Sequence, residues 1–186
     1  SLVHLELTHV REYNSKWEPV PYESTLGELP TGLGDLTGLQ KLHMHGCRVS
    51  SLPETFGKLR NLRSLTLSDN GLTSLPKSFG ALASLETLDL SKNKLSSLPD
   101  SFGHLGRLKT CKLDDNHLTG FPRLLGGLEQ LQTLSLVANP VASLPPSFGE
   151  LSALQSLDVS GHMLTILPET FGDLGSLRAL SLAGPN

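Results

Sequence analysis

Proline stands at Pro30, Pro53, Pro76, Pro99, Pro122, Pro145 and Pro168, each 23 residues after the one before. Glycine keeps the same interval at Gly34, Gly57, Gly80, Gly103, Gly126, Gly149 and Gly172. An unbroken period of this length dictates a stack of similar small units, each touching only its neighbours, and excludes a single compact globule. Such a stack exposes long surfaces, which points towards binding rather than chemistry.

Leu62, Leu65, Leu67, Asn70, Leu72, Leu75, Pro76, Phe79, Gly80 and Leu82 define one unit, and Leu85 begins the next. The alternation in Leu65-Thr66-Leu67 predicts a short strand with leucine inward and threonine outward. Asn70 is expected to turn the chain and to satisfy backbone groups left open at the bend, as are Asn93, Asn116 and Asn139. Leu75-Pro76 runs extended, because proline disfavours helix in the residue before it. Gly80 is expected to permit a tight return turn, with Phe79 filling the convex side of the core. About six or seven buried apolar side chains per unit contribute roughly 10–20 kcal/mol. Ordering the backbone costs about 1–2 kcal/mol per residue. One unit cannot stand alone, and stacking is compulsory.

This unit resembles a leucine-rich repeat of the 23-residue kind, with Leu-Pro-x-x-Phe-Gly-x-Leu in its second half, over almost the whole chain. It is similar to the intracellular Ras-associated scaffold type, to leucine-rich domains of plant immune receptors, and to those of bacterial effectors injected into host cells. The resemblance implies an α/β solenoid, with a curved parallel β-sheet on the concave face and short helical or extended turns on the convex face. It also implies a protein-interaction module that binds a protein partner on its concave surface. The alternatives are a substrate-recognition domain of a bacterial type III effector of ubiquitin-ligase type, acting in the host cell, and a sensor segment of an immune receptor.

Departures from the pattern carry information. The asparagine position holds Val10, Cys47, His162 and Pro185 in the outer units, and Leu33 and Leu125 stand where Phe79 stands. Residues 1–186 read as a single domain of about eight strands with a 14-residue insertion near 11–25. Neither end shows a polar capping unit, so the chain reads as a fragment of a larger protein.

The net charge of −3, from 15 basic and 18 acidic residues, gives no reason to expect nucleic acid or an anionic membrane as partner. No apolar run approaches the ~20 residues a membrane span needs. At ~4.8 Å per strand, Cys47 and Cys111 fall ~14 Å apart, beyond the ~7 Å reach of a disulfide. With no Asn-x-Ser/Thr sequon, this fits a reducing, cytoplasmic compartment. No nucleophile–base pairing, phosphate loop, Cys-x-x-Cys or His-Glu-x-x-His can be read, so the segment is expected to be non-catalytic, without cofactor or small-molecule substrate.

Two regions are candidates for partner contact. The insertion from Arg11 to Thr25 holds Tyr13, Trp17 and Tyr22, the only tryptophan and both tyrosines of the chain. It either folds back to cover the first units or meets a partner. On the concave face, His43 and His45 point the same way and are flanked by Glu6 and Thr8. They read as solvated contact residues, a pH-sensitive contact or, with a carboxylate, a Zn²⁺ site. Farther along, Asp89, Lys112, Asp114, Asp115 and Asp158 make a mixed-sign stripe that can set partner choice. The partner-binding candidates are Trp17, Tyr13, Tyr22, His43, His45, Asp89, Lys112, Asp114 and Asp158.

Overall fold

The leucine alternation builds strands, and the period lays them side by side. The computed structural model describes residues 2–8 and 26–184. Its strands are β1 (His4–Thr8), β2 (Lys41–His45), β3 (Ser64–Thr66), β4 (Thr87–Asp89), β5 (Thr110–Lys112), β6 (Thr133–Ser135), β7 (Ser156–Asp158) and β8 (Ala179–Ser181). All are parallel and follow sequence order in one sheet. Leu42, Leu65, Leu88, Cys111, Leu134, Leu157 and Leu180 stand opposite one another. All but Leu180, on the open edge, are buried. β1 pairs directly with β2, His4 opposite Lys41.

The convex side is made of five-residue 3₁₀ turns at Thr31–Asp35, Glu54–Lys58, Lys77–Ala81, Asp100–His104, Pro146–Glu150 and Glu169–Asp173. The helical part of the expected architecture is thus 3₁₀ throughout the described residues. An extended proline precedes each turn, Pro76 at φ −64° and ψ 152° being one case. Phe56 stacks on Phe79, and Phe79 on Phe102, with ring centroids 6.3 Å apart. The unit between β5 and β6 lacks a 3₁₀ turn and carries Leu125 in the phenylalanine place. There Phe121 enters from four residues earlier and meets Phe148 edge-on at 6.0 Å.

Asparagine holds the opposite side. Asn93 Oδ1 accepts the Leu72 N–H at 3.0 Å, while Nδ2 donates to the carbonyls of Leu67 and Leu90 at 2.9 Å and of Ser91 at 3.3 Å. Asn70, Asn116 and Asn139 repeat the arrangement. The bend itself belongs to the preceding residue. Asp69, Lys92, Asp115 and Ala138 are left-handed, with φ between 52° and 56°. The expectation that asparagine turns the chain is corrected: its neighbour turns and asparagine satisfies what the turn leaves open.

The periodic glycine also has a different job from the one expected. Gly80 is not left-handed, but a Cβ built on it would overlap the Ser101 carbonyl oxygen of the next unit. Stacking distance, rather than a tight turn, excludes a side chain there. The residue at that contact is also a stitch. Ser78 Oγ donates to the Glu54 carbonyl at 2.6 Å, Ser101 Oγ to Lys77 at 2.7 Å, and Thr170 Oγ1 to Pro146 at 2.6 Å. Leu124 interrupts this ladder and stands 75% exposed.

Candidate interaction surface

Because inward positions are taken by leucine, the outward positions of each strand form rows across the concave face. One row reads Glu6, His43, Thr66, Asp89, Lys112, Ser135, Asp158 and Ser181. Asp89 and Lys112 are direct cross-strand neighbours. His43 lies two strands before Asp89, and Asp158 two strands beyond Lys112. Tyr13, Trp17 and Tyr22 lie outside the described residues.

The carboxylates of the stripe are partly committed within the chain. Asp89 Oδ1 accepts the Ser91 N–H at 2.9 Å. Asp114 Oδ1 accepts the Ser135 hydroxyl at 2.5 Å and the Val137 N–H at 2.9 Å. Asp158 Oδ1 accepts the Ser160 N–H at 2.9 Å and its hydroxyl at 2.6 Å. Burial pushes the Asp158 carboxyl up, but bonds from Ser160 and Ser181 outweigh it and hold the group below its ordinary value. Lys112 differs. It is exposed, and its ammonium has no hydrogen-bond or ion-pair partner among the described residues.

At the β1–β2 end, the rings of His4 and His43 lie 5.9 Å apart. His43 Nε2 is 3.4 Å from Ser64 Oγ, and His45 Nδ1 is 2.9 Å from Ser68 Oγ. Glu6 lies 3.8 Å from His4, and Asp69 lies 4.0 Å from His45. Among the described residues, no three histidine, cysteine or acidic side chains converge as a metal site.

Two features escaped the sequence reading. Glu86 bridges Lys109, at 2.8 Å, and Arg63, at 3.0 Å, across three successive units. Lys109 and then Arg63 hold its carboxyl below the ordinary value. The alternating signs at one-period spacing were its signal. A lateral groove on the Leu-Pro side crosses neighbouring units, with a depression of about 560 Å³ over Leu75, Ser97, Leu98 and Asp100. A second depression of about 420 Å³ adjoins it at Ser97, Leu98 and Asp100 and extends to Phe121 and Arg123. Both cysteines are free thiols, and burial, then the Asp89 and Asp114 charges, push the Cys111 thiol far up. Among the described residues no helix is long and apolar enough to cross a membrane.

Three family models match the sequence. One described as Leucine Rich Repeat matches residues 38–59, one described as Leucine-rich repeat region matches 56–139, and one described as Leucine rich repeat matches 129–186. Among solved structures, a leucine-rich repeat protein of Leptospira interrogans is 30% identical, with TM-score 0.76, over 85% of this chain and 42% of that one. The leucine-rich repeat ectodomain of the plant membrane receptor kinase GASSHO1/SCHENGEN3 from Arabidopsis thaliana was solved in complex with Casparian strip integrity factor 2. It is 37% identical, with TM-score 0.76, over 84% of this chain and 19% of that one. TLR13, in its complex with ssRNA13, is 34% identical, with TM-score 0.74, over 87% of this chain and 24% of that one. The chain therefore spans less than half the length of each of these proteins. No curated protein matches the sequence.

Proposed function

Because the chain belongs to the leucine-rich repeat family, we propose that it is a protein-interaction module whose concave sheet receives a protein partner. The observation that carries this reading is the contrast along each strand. Inward positions repeat leucine, as stacking demands, while outward positions in one row run through Thr66, Asp89, Lys112, Ser135 and Asp158. Outward side chains are free of the packing demand and can therefore differ to match a partner. The similar plant receptor ectodomain was solved with its factor bound, which supports the reading.

Lys112 is the central contact of this proposal, flanked by Asp89 and with Asp114 and Asp158 farther along. Small neighbours such as Thr66 and Ser135 let a partner's backbone approach. His43 and His45 form the other end of the contact. The two free thiols support a reducing compartment as part of the same proposal.

The test is capture of a partner by the intact chain and by a Thr87→Arg, Lys112→Glu variant. Both side chains are exposed on the concave face, so the exchange leaves the core alone. Asp114→Lys is avoided because it would remove the bonds to Ser135 and Val137. Loss of the partner at an unchanged melting midpoint is expected. Full retention would move the interface to the lateral groove around Leu98.

A further inference from the structure

We infer that the β1–β2 end of the concave sheet is an acid-strengthened docking site for a carboxylate-rich segment of a protein partner. This rests on the reading of the concave face as the interaction surface. His43 and His45 are two apart on one strand, so their rings stand on the same face, and the His4 ring joins that of His43 at 5.9 Å. The Ser64 and Ser68 hydroxyls of the next unit support the two β2 rings from the side.

The charges around these rings decide what the patch attracts. β1 contributes Glu6, β2 contributes Lys41, and the turn after β3 contributes Asp69. β3 itself faces the rings with the uncharged Ser64 and Thr66. With neutral imidazoles the cluster of described residues holds one cation, Lys41, against two carboxylates, Glu6 and Asp69, and these described groups sum to −1. With His4, His43 and His45 protonated it holds four cations against the same two carboxylates and is net +2. Imidazole changes charge between about pH 5 and 8. Protonation of these rings turns the balance of the described groups positive, which suits a carboxylate-bearing partner.

Three imidazolium groups this close repel one another, and a bridging carboxylate offsets that repulsion. A short acidic peptide segment fits better than a nucleic acid. Among the described residues the histidine patch spans β1 and β2, and the face beyond it carries Asp89, Asp114 and Asp158 against the one cation Lys112. A polyphosphate chain needs a continuing cationic track and would meet these carboxylates instead.

The experiment uses the full chain and a fluorescein-labelled peptide of alternating Glu and Ser, with an oligouridylate of equal charge as second probe. Anisotropy titrations at about pH 7.5 and about pH 5.5, at one ionic strength, read the affinity of each. Peptide affinity is expected to rise about tenfold on acidification, and the rise to fall below about threefold in an H43Q/H45Q variant. Equal peptide affinity at both pH values, an undiminished rise in the variant, or a larger gain for the RNA would each overturn the inference. Thr87→Arg, Lys112→Glu separates this outcome from failure of the wider reading. If that variant loses a captured partner while the peptide shows no acid response, the concave interface stands and the histidine site falls. If capture is indifferent to it, the concave reading itself falls.

Discussion

His162 Nδ1 accepts the backbone N–H of Leu164 at 2.8 Å. In interior units the matching N–H reaches forward to the next asparagine, Leu72 to Asn93, Leu95 to Asn116 and Leu118 to Asn139. One period beyond His162 the sequence has Pro185, which has no side-chain amide to offer. An accepting Nδ1 places the proton on Nε2, which donates to the Leu182 carbonyl at 3.2 Å. Histidine thus closes, within its own unit, a ladder that asparagine would have passed on.

His162→Ala removes that acceptor and is expected to cost about 1–2 kcal/mol, confined to the last units. Hydrogen exchange should quicken about tenfold at the Leu164 amide while the Leu88 region keeps its protection. Equal exchange at Leu164 in parent and variant would show that the imidazole does not hold that N–H.

Glycine at the stacking contact gives a paired prediction. A methyl at Gly80 would overlap the Ser101 carbonyl, whereas nothing lies within 4 Å of the same atom on Gly172. Gly80→Ala is expected to destabilise by about 2–3 kcal/mol and Gly172→Ala to stay within about 0.5 kcal/mol. Chemical denaturation of both variants measures the difference, and equal losses would make helix or turn propensity the cause instead of the contact.

From β2 onwards the major contacts between units join residues about one period apart, so the repeat pattern and the contact pattern coincide. That is why strands, leucine core, phenylalanine stack and asparagine ladder were legible in the residues alone. The Gly80 contact was misread because its partner is a backbone oxygen, which leaves no mark in the sequence. The hydroxyl ladder of Ser78, Ser101 and Thr170 was periodic but went unread, since serine and threonine on a surface usually bond water. Asp114 and Asp158 were legible as outward charges, but not as acceptors of backbone N–H groups, Val137 after the next strand for Asp114 and Ser160 after its own strand for Asp158.

Three carboxyls link folding to acid. The Lys77 N–H, the largest influence, holds Glu54 below its ordinary value against an upward push from burial, with further lowering from the Ser78 bonds. Glu86 is lowered by Lys109 and Arg63, and Asp158 by Ser160 and Ser181 against burial. A carboxyl lowered in the folded state contributes stability that is fully present above its unfolded value. That contribution is lost as pH falls out of the ordinary carboxylate range and through the lowered folded value. Melting midpoints are therefore expected to drop as pH falls below the ordinary carboxylate range, and Glu54→Gln should make the drop shallower. A Gln variant with the parent's slope would show that the Glu54 bonds to the next turn are not coupled to folding.

The exchange of Phe121 and Leu125 is a coupled repair of the core. Five other units place leucine before the proline and phenylalanine four residues later; this unit reverses them, and the Phe121 ring meets Phe148 edge-on. Phe121→Leu alone should leave a gap beside Phe148 and cost about 1–2 kcal/mol. Leu125→Phe alone adds a ring where Phe121 already fills the layer, at about 1–3 kcal/mol. Together they restore the common order, so the double variant is expected to lose at least about 1 kcal/mol less than the sum of the singles. A denaturation double-mutant cycle reads this directly. Additive losses would mean that the two side chains occupy separate spaces and that Phe121 does not replace the missing ring of the stack.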